Sequence, residues 1–245
     1  MYNTSSVDPS LIMYYTFEPS TINGIQVANM ATGAPVYDAT LLNGCKNSLN
    51  TYKIGSSSLY LNNTAINPKI VLSPATLNAT AIPSAANSSI TMAYWIYALD
   101  YANLYTIDFA KTTNQNANNI IHHTARYPDT NSSYVSIIIY PDITIAHSFI
   151  QSKQVIPLNT WTHIVWISTN DTNKTNYIYI NGVLSTTTNM FYPSSVTRNG
   201  NYIGGTNYPN SGFNGYIDDL RFYSRGLSSQ EIVSLYNYAP ILNKI

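Results

Sequence analysis

Residues 213–237 run FNGYIDDLRFYSRGLSSQEIVSLYN. The first half, Tyr216 to Tyr223, is mostly bulky, with apolar Leu220 and Phe222 spaced two apart as on one face of a strand. The second half predicts a short helix with a capping box. Ser228 is placed to accept from the free amides of the first turn, and Glu231, three residues on, to return the bond. Ile232 and Leu235 give that helix one apolar stripe, and Pro240 lies just beyond its end. The expected arrangement is a strand that closes a sheet, followed by one covering turn of helix.

Working outward, the rest of the 245-residue chain reads as strands almost end to end. Leu11 to Glu18 (LIMYYTFE) opens it and stops at Pro19 and the turn-rich STING segment. Val36 to Asn43 ends at Asn43-Gly44; Ser58 to Asn62 and Lys69 to Ser73 are short strands. Leu77 to Ser89 is small and polar and reads as a surface connection. In Ile90 to Leu99 (ITMAYWIYAL), Ile90, Met92, Tyr94 and Ile96 fall on one face and Trp95 and Tyr97 on the other. A strand bulky on both faces belongs mid-sandwich, covered on one side and lining a surface on the other. Leu104 to Ala110, Asn119 to Thr124, Tyr134 to Tyr140 and Thr144 to Ile150 continue at sandwich spacing. Trp161 to Thr169 alternates. Between Asn176 and Thr187, YIYI meets Asn181-Gly182, the pair preferred in a type I′ turn, and VLSTT returns. Asn201 to Gly205 leads into the closing strand. No linker and no repeat of ~20–50 residues interrupts this, so a single domain over 1–245, with its core at about 10–238, is expected.

Charged residues are 9% of the chain, against roughly 25% in ordinary globular domains. Asn, Thr, Ser and 22 tyrosines replace them, and the net charge is zero. There is no basic face for nucleic acid or for an anionic membrane, and no stretch approaches the ~18 apolar residues of a membrane span. Amides, hydroxyls and phenols suit neutral polar partners, sugars above all; an AT-rich genome would produce the same composition. The single cysteine, Cys45, excludes an intrachain disulfide and reads as a small buried hydrophobe. Met1 to Ser10 shows neither the basic start nor the apolar run of a secretory signal, so the Asn-x-Ser/Thr sequons are expected to be unused.

Several blocks, in order, resemble laminin-G-like domains of the concanavalin A-like lectin/glucanase superfamily. They are YYTFE, VYDATLLNG, KIGSSSLYLN, NTWTHIVWI followed by YIYINGVL, and IGG with GYIDDLRFYSRGLSSQEI. The resemblance implies an all-β antiparallel jelly-roll β-sandwich of roughly a dozen or more strands, with one short C-terminal helix. It also implies that a carboxylate pair must be sought, because the superfamily includes glycosidases, whose retaining members hold two carboxyl groups ~5–5.5 Å apart. The Glu-x-Asp-x-x-Glu motif of the laminarinase-type enzymes is absent; the two glutamates are Glu18 and Glu231, and Glu231 is engaged as a cap. Asp100, Asp108, Asp129 and Asp142 lie in unrelated segments, and Asp218-Asp219 on a regular strand point to opposite faces. The reading is therefore not an enzyme.

His122-His123 likewise point apart, and His163 reads as a satisfied buried imidazole. Nothing resembles a zinc site or a Gly-x-Ser-x-Gly elbow. The family resemblance implies one structural calcium, held by an acidic residue after the first strand, a carbonyl near the second block and an aspartate opening the last strand. Those positions are Glu18, Gly44 and Asp218; the alternative is that the two carboxylates are solvated strand ends. Sugar-binding candidates are Tyr97, Tyr101, Asn103, Tyr127, Tyr140, Trp166 and Tyr208, and the sequence does not choose among them. The leading reading is a non-catalytic recognition module for a glycan or a neighbouring surface protein, with self-association compatible. Its rival is a structural virion component, a capsid decoration or fibre protein made without a signal peptide.

Overall fold

The computed structural model describes residues 8–62, 68–78, 80–101, 105–111, 119–123, 134–141, 144–206 and 212–238. The first strands are β1 (Leu11–Tyr15), β2 (Ile22–Asn23), β3 (Gln26–Asn29), β4 (Val36–Leu42), β5 (Lys46–Ser48), β6 (Ser58–Leu61) and β7 (Lys69–Leu72). There follow β8 (Ser89–Ala98), β9 (Tyr105–Ala110), β10 (Asn119–His123), β11 (Tyr134–Tyr140) and β12 (Ser148–Val155). The chain continues through β13 (Thr162–Thr169), β14 (Thr175–Ile180), β15 (Val183–Asn189), β16 (Gly200–Ile203) and β17 (Gly215–Tyr223) to the helix α1 (Ser229–Tyr236).

All pairings are antiparallel and form two sheets. One runs β15-β14-β13-β8-β17-β6-β5, with β1 added beside the second half of β17; the other runs β12-β11-β10-β9-β16-β7-β4-β3-β2. The inward residues of both sheets make one continuous core that includes Met92, Tyr94 and Ile96 of β8, Ile164 and Trp166 of β13, and Ile107 and Phe109 of β9. This is the concanavalin A-like sandwich with its short C-terminal helix. At one side the sheets meet where the Lys153 amide of β12 donates to Ser185 Oγ of β15 at 2.9 Å.

The Asn181-Gly182 turn forms as expected, with φ of +51° and +79°, because the I′ geometry matches the twist of the strands it joins. The capping box also forms: Glu231 N donates to Ser228 Oγ and Ser228 N to Glu231 Oε2. Pro240 lies outside the described residues. Elsewhere the boundaries move. The opening strand stops at Tyr15, and Phe17 takes φ +54° before a 3-10 turn at Pro19–Thr21. The segment expected to be a strand from Thr144 begins at Ser148 and continues to Val155. Strands β2, β3 and β5 were not legible in their polar sequences. Leu77 and Ile82, in the connection before β8, are fully buried and pin it to the core. Among the described residues no helix is long and apolar enough to cross a membrane.

Candidate functional site

The outer face of the β13-β8-β17-β6 sheet is organised in rows, because antiparallel register sets side chains of neighbouring strands side by side. In the first row Tyr97 of β8 faces Tyr216 of β17, which faces Tyr60 of β6; Trp161, just before β13, joins them. The four rings are half-buried. They pack edge to face and tilted: Tyr60–Tyr216 at 4.9 Å, Tyr97–Trp161 at 5.6 Å and Tyr97–Tyr216 at 5.7 Å between centroids. Lys46 Nζ lies 5.6 Å from the Tyr60 ring at the edge. The placement of Tyr97 follows from β8 alternation; that of Tyr60, Trp161 and Tyr216 depends on strand order and is not written locally.

The second row is His163 of β13, Trp95 of β8 and Asp218 of β17, in direct register. These residues are 2%, 1% and 0% exposed. Trp95 packs against His163 at 4.9 Å and beneath Tyr236 of α1 at 5.5 Å and 23°, and Lys53 Nζ lies 4.4 Å from its ring. Asp218 Oδ2 accepts from the Lys53 and Ile54 amides at 2.8 and 2.9 Å. Trp95 Nε1, His163 Nδ1 and Asp218 Oδ1 have no hydrogen-bond partner, a deficit of about 1–3 kcal/mol for each such buried group. Burial, reinforced by the charges of Arg221 and Lys53, holds the imidazole down to about 3. Burial, against the pull of the two amides, raises the Asp218 carboxyl to about 8. His163 is thus buried as expected, its amide donating to Asn181 Oδ1 at 2.8 Å, but its Nδ1 is left without a partner.

Regular alternation does not hold at Asp218-Asp219. Ile217 and Leu220 both point into the core, Asp219 has φ +49°, and the pairing with β8 slips between Asp218 and Arg221. This bulge carries both aspartates to the outer side, where Asp219 Oδ1 accepts from Arg221 Nη2 at 2.9 Å. Both are buried, so neither is a strand end in water. Beyond it, Arg221 lies 4.3 Å over the Tyr14 ring, and Leu227, just before α1, and Ile232 of α1 cover the rest of the face, packing with Val165, Ile167 and Tyr223.

The residues assigned to calcium are partly brought together. Glu18 and Asp218 grip the two ends of one loop, 53–56: Glu18 accepts from the Ser56 amide at 3.0 Å and its hydroxyl at 2.5 Å. A side chain at Gly55 would collide with Glu18 Oε1. Gly44 lies in the turn before β5, at φ +85°, and β5 reaches the same region where Asn47 donates to the Phe17 carbonyl at 2.5 Å. The groups facing the carboxylates are N–H and O–H donors. Calcium requires a shell of six to eight oxygens, so this donor set fits a cation poorly; Asp218 Oδ1 is the one carboxylate oxygen of the pair left open. Among the described residues no three or more His, Cys, Asp or Glu side chains group as a metal site.

Of the other candidates, Trp166 belongs to the core, fully buried with Nε1 donating to Asn176 Oδ1 at 2.9 Å. Tyr101 donates to the Ile156 carbonyl at 3.2 Å, and Tyr140 lies against His147 at 5.0 Å. Asn103, Tyr127, Tyr208, Asp129, Asp142 and the side chains of His122 and His123 lie outside the described residues. Asp100 accepts from Asn214, and Asp108 accepts from Thr206 at 2.7 Å. Burial pushes the Cys45 thiol up to about 12. A cleft of about 460 Å³ opens between the start of β1 and the connection before β8, lined by Leu11, Ile12, Asn29 and Asp38 among others. It offers no ring for stacking, and Asp38 already accepts from Tyr15, Thr76 and Asn29.

A family model described as concanavalin A-like lectin/glucanases superfamily (Laminin_G_3) matches residues 73–233. The chain belongs to this family. Comparison with curated proteins finds no match. Among solved structures, domain 4 of an extracellular arabinanase from Geobacillus stearothermophilus, in complex with arabinotriose, aligns with TM-score 0.64 and 17% identity over 93% of this chain and 98% of that one. The binding domain of Paraclostridial Mosquitocidal Protein 1 aligns with TM-score 0.61 and 15% identity over 93% of this chain and 52% of that one. The binding domain of botulinum neurotoxin DC, in complex with rat synaptotagmin II, gives 0.63 and 14% over 93% and 51%. The chain spans about half the length of the two toxin domains. At these identities the likeness is one of fold.

Proposed function

We propose that this chain is a non-catalytic carbohydrate-binding module and that a saccharide lies on Tyr60, Tyr97, Trp161 and Tyr216. The observation that carries the reading is the clustering of four half-buried rings on one open sheet face. A ring face stacks against the C–H face of a sugar, and a chain with so little charge has few groups that would favour an ionic partner instead. That the similar arabinanase domain was solved with arabinotriose supports the same ligand class. The buried position of Asp218-Asp219 and the engagement of Glu231 with Ser228 and Arg225 support a binding rather than a hydrolytic role.

The test is a glycan-array screen of the chain and of its Trp161→Ala and Tyr97→Ala variants, on material sized by light scattering. Specific binding that both variants lose is expected. Binding that neither variant changes would move the site elsewhere. No glycan binding from a stable oligomer would replace this reading with a structural component acting through protein–protein contacts. Repeating the screen and a melting curve after chelation addresses calcium. Both are expected to stay unchanged, because the 53–56 loop amides occupy Glu18 and Asp218; a loss would place an ion at Glu18, Gly44 and Asp218.

A further inference from the structure

Three of the seven buried side-chain polar atoms without a partner among the described residues belong to residues in direct register in the second row: His163 Nδ1, Trp95 Nε1 and Asp218 Oδ1. Buried polar groups in folded proteins are paired almost without exception, so a contiguous unpaired set requires an explanation. The set holds an N–H donor, a carboxyl oxygen and an imidazole nitrogen, and the last two donate or accept according to where their protons sit. A guest must therefore accept from the indole and meet the other two groups in either role. A cation would meet the indole N–H and the nearby Lys53, whereas a neutral hydroxyl, which both donates and accepts, suits each of the three.

The row is closed by little. Tyr236, the last residue of α1, lies half-buried over Trp95 and His163 and against Gly182 of the β14–β15 turn. The exposed Lys53 covers Trp95 from the loop. Along β8 and β17 the row is two residues from Tyr97 and Tyr216 on the same face, about 7 Å away. That is within reach of a substituent on a sugar ring stacked there.

We infer that His163, Trp95 and Asp218 form a hydroxyl-binding subsite, roofed by Tyr236, that takes a hydroxyl of the saccharide lying on Tyr97 and Trp161. The inference rests on the saccharide reading above. The three tryptophans of the chain make it testable in one spectrum, because their indole N–H signals report the open row (Trp161), the subsite (Trp95) and the core (Trp166).

In the wild-type chain, arabinotriose is expected to move the Trp161 and Trp95 signals and leave Trp166 in place. In Tyr236→Ala, where the roof is removed, glycerol at molar concentration is expected to move Trp95, with Trp166 again serving as the fold control. Adding Asp218→Asn, which fixes the open position as an N–H donor in place of a carboxyl oxygen able to act either way, should weaken that glycerol response about tenfold. Movement of Trp161 without Trp95 would overturn the subsite and leave the open row standing. A Trp95 signal that glycerol fails to move in Tyr236→Ala overturns it whatever glycan the open row takes. A Trp95 shift produced by calcium and abolished by Asp218→Asn would also overturn it, since Oδ1 would then be a metal ligand.

Discussion

The two ends of α1 solve opposite problems. At its start, Arg225 donates to Asp8 and Glu231, each at 2.6 Å, and again to Ser10 at 3.0 Å, while Glu231 also accepts from the Ser228 amide at 2.8 Å. The Arg225 and Glu231 side chains are 38% and 42% exposed. At its end, Tyr236 covers a row that is almost wholly buried and whose His163, Trp95 and Asp218 each keep an unpaired polar atom. The first end is saturated where water would have served nearly as well. The second is unsaturated where water is excluded, which is the more costly arrangement and the one that leaves bonding capacity for a guest.

Four substitutions would break or sharpen this contrast. The largest effect is expected from Ile232→Ala, which removes the fully buried anchor of α1. Truncation of a buried isoleucine costs about 2–5 kcal/mol, measured by denaturant unfolding. Because Tyr236 rides on the same helix, Trp95 indole exchange should quicken in this variant more than Trp166 exchange.

His163 gives the next effect. Its folded-state pKa is held near 3, below its ordinary value of 6.5. Between those values the unfolded chain therefore binds a proton that the folded chain refuses. The stability His163 contributes is present above pH 6.5 and falls as pH drops toward 3, by on the order of 5 kcal/mol. Asp218, raised from 3.8 to about 8, contributes the opposite slope over most of that window. His163→Phe keeps the ring stack and should make stability rise less, or fall more, with pH over that window; an unchanged slope would show that other groups set it.

The smallest effects belong to the saturated end. Ser228→Ala should cost about 1 kcal/mol as a lost helix cap. Glu231 is held down to about 2, first by Arg225, so its contribution is present above its ordinary pKa and lost as pH falls through 2. Its solvent exposure limits that contribution to under ~1 kcal/mol. Arg225→Gln should therefore shift the melting curve little, and less still at high salt.

The features legible in the sequence are those set within a few residues. The capping box, the Asn181-Gly182 turn and the division of β8 into a Tyr94 face and a Trp95–Tyr97 face all appear as read. The misplacements have a common cause. In β13, alternation separates Trp166 from His163 correctly, but nothing local says which set faces inward; Trp166 is core and His163 is not. The polar strands β2, β3 and β5 form because neighbours already in the sheets offer them hydrogen bonds, a template no local pattern announces. The bulge at Asp219 breaks a periodicity that the residues themselves would have kept.

By itself, then, the sequence determined the local vocabulary of this protein. Hydrophobic periodicity, a turn dipeptide and a reciprocal cap depend on φ, ψ and neighbours three or four residues away. It also determined the low charge that points toward neutral ligands. Only the tertiary structure decided that β13, β8, β17 and β6 lie side by side. That order turns scattered tyrosines and Trp161 into one surface, and His163, Trp95 and Asp218 into one row. Strand order is fixed by burying both sheets against a common core, a property of the whole chain that no segment carries.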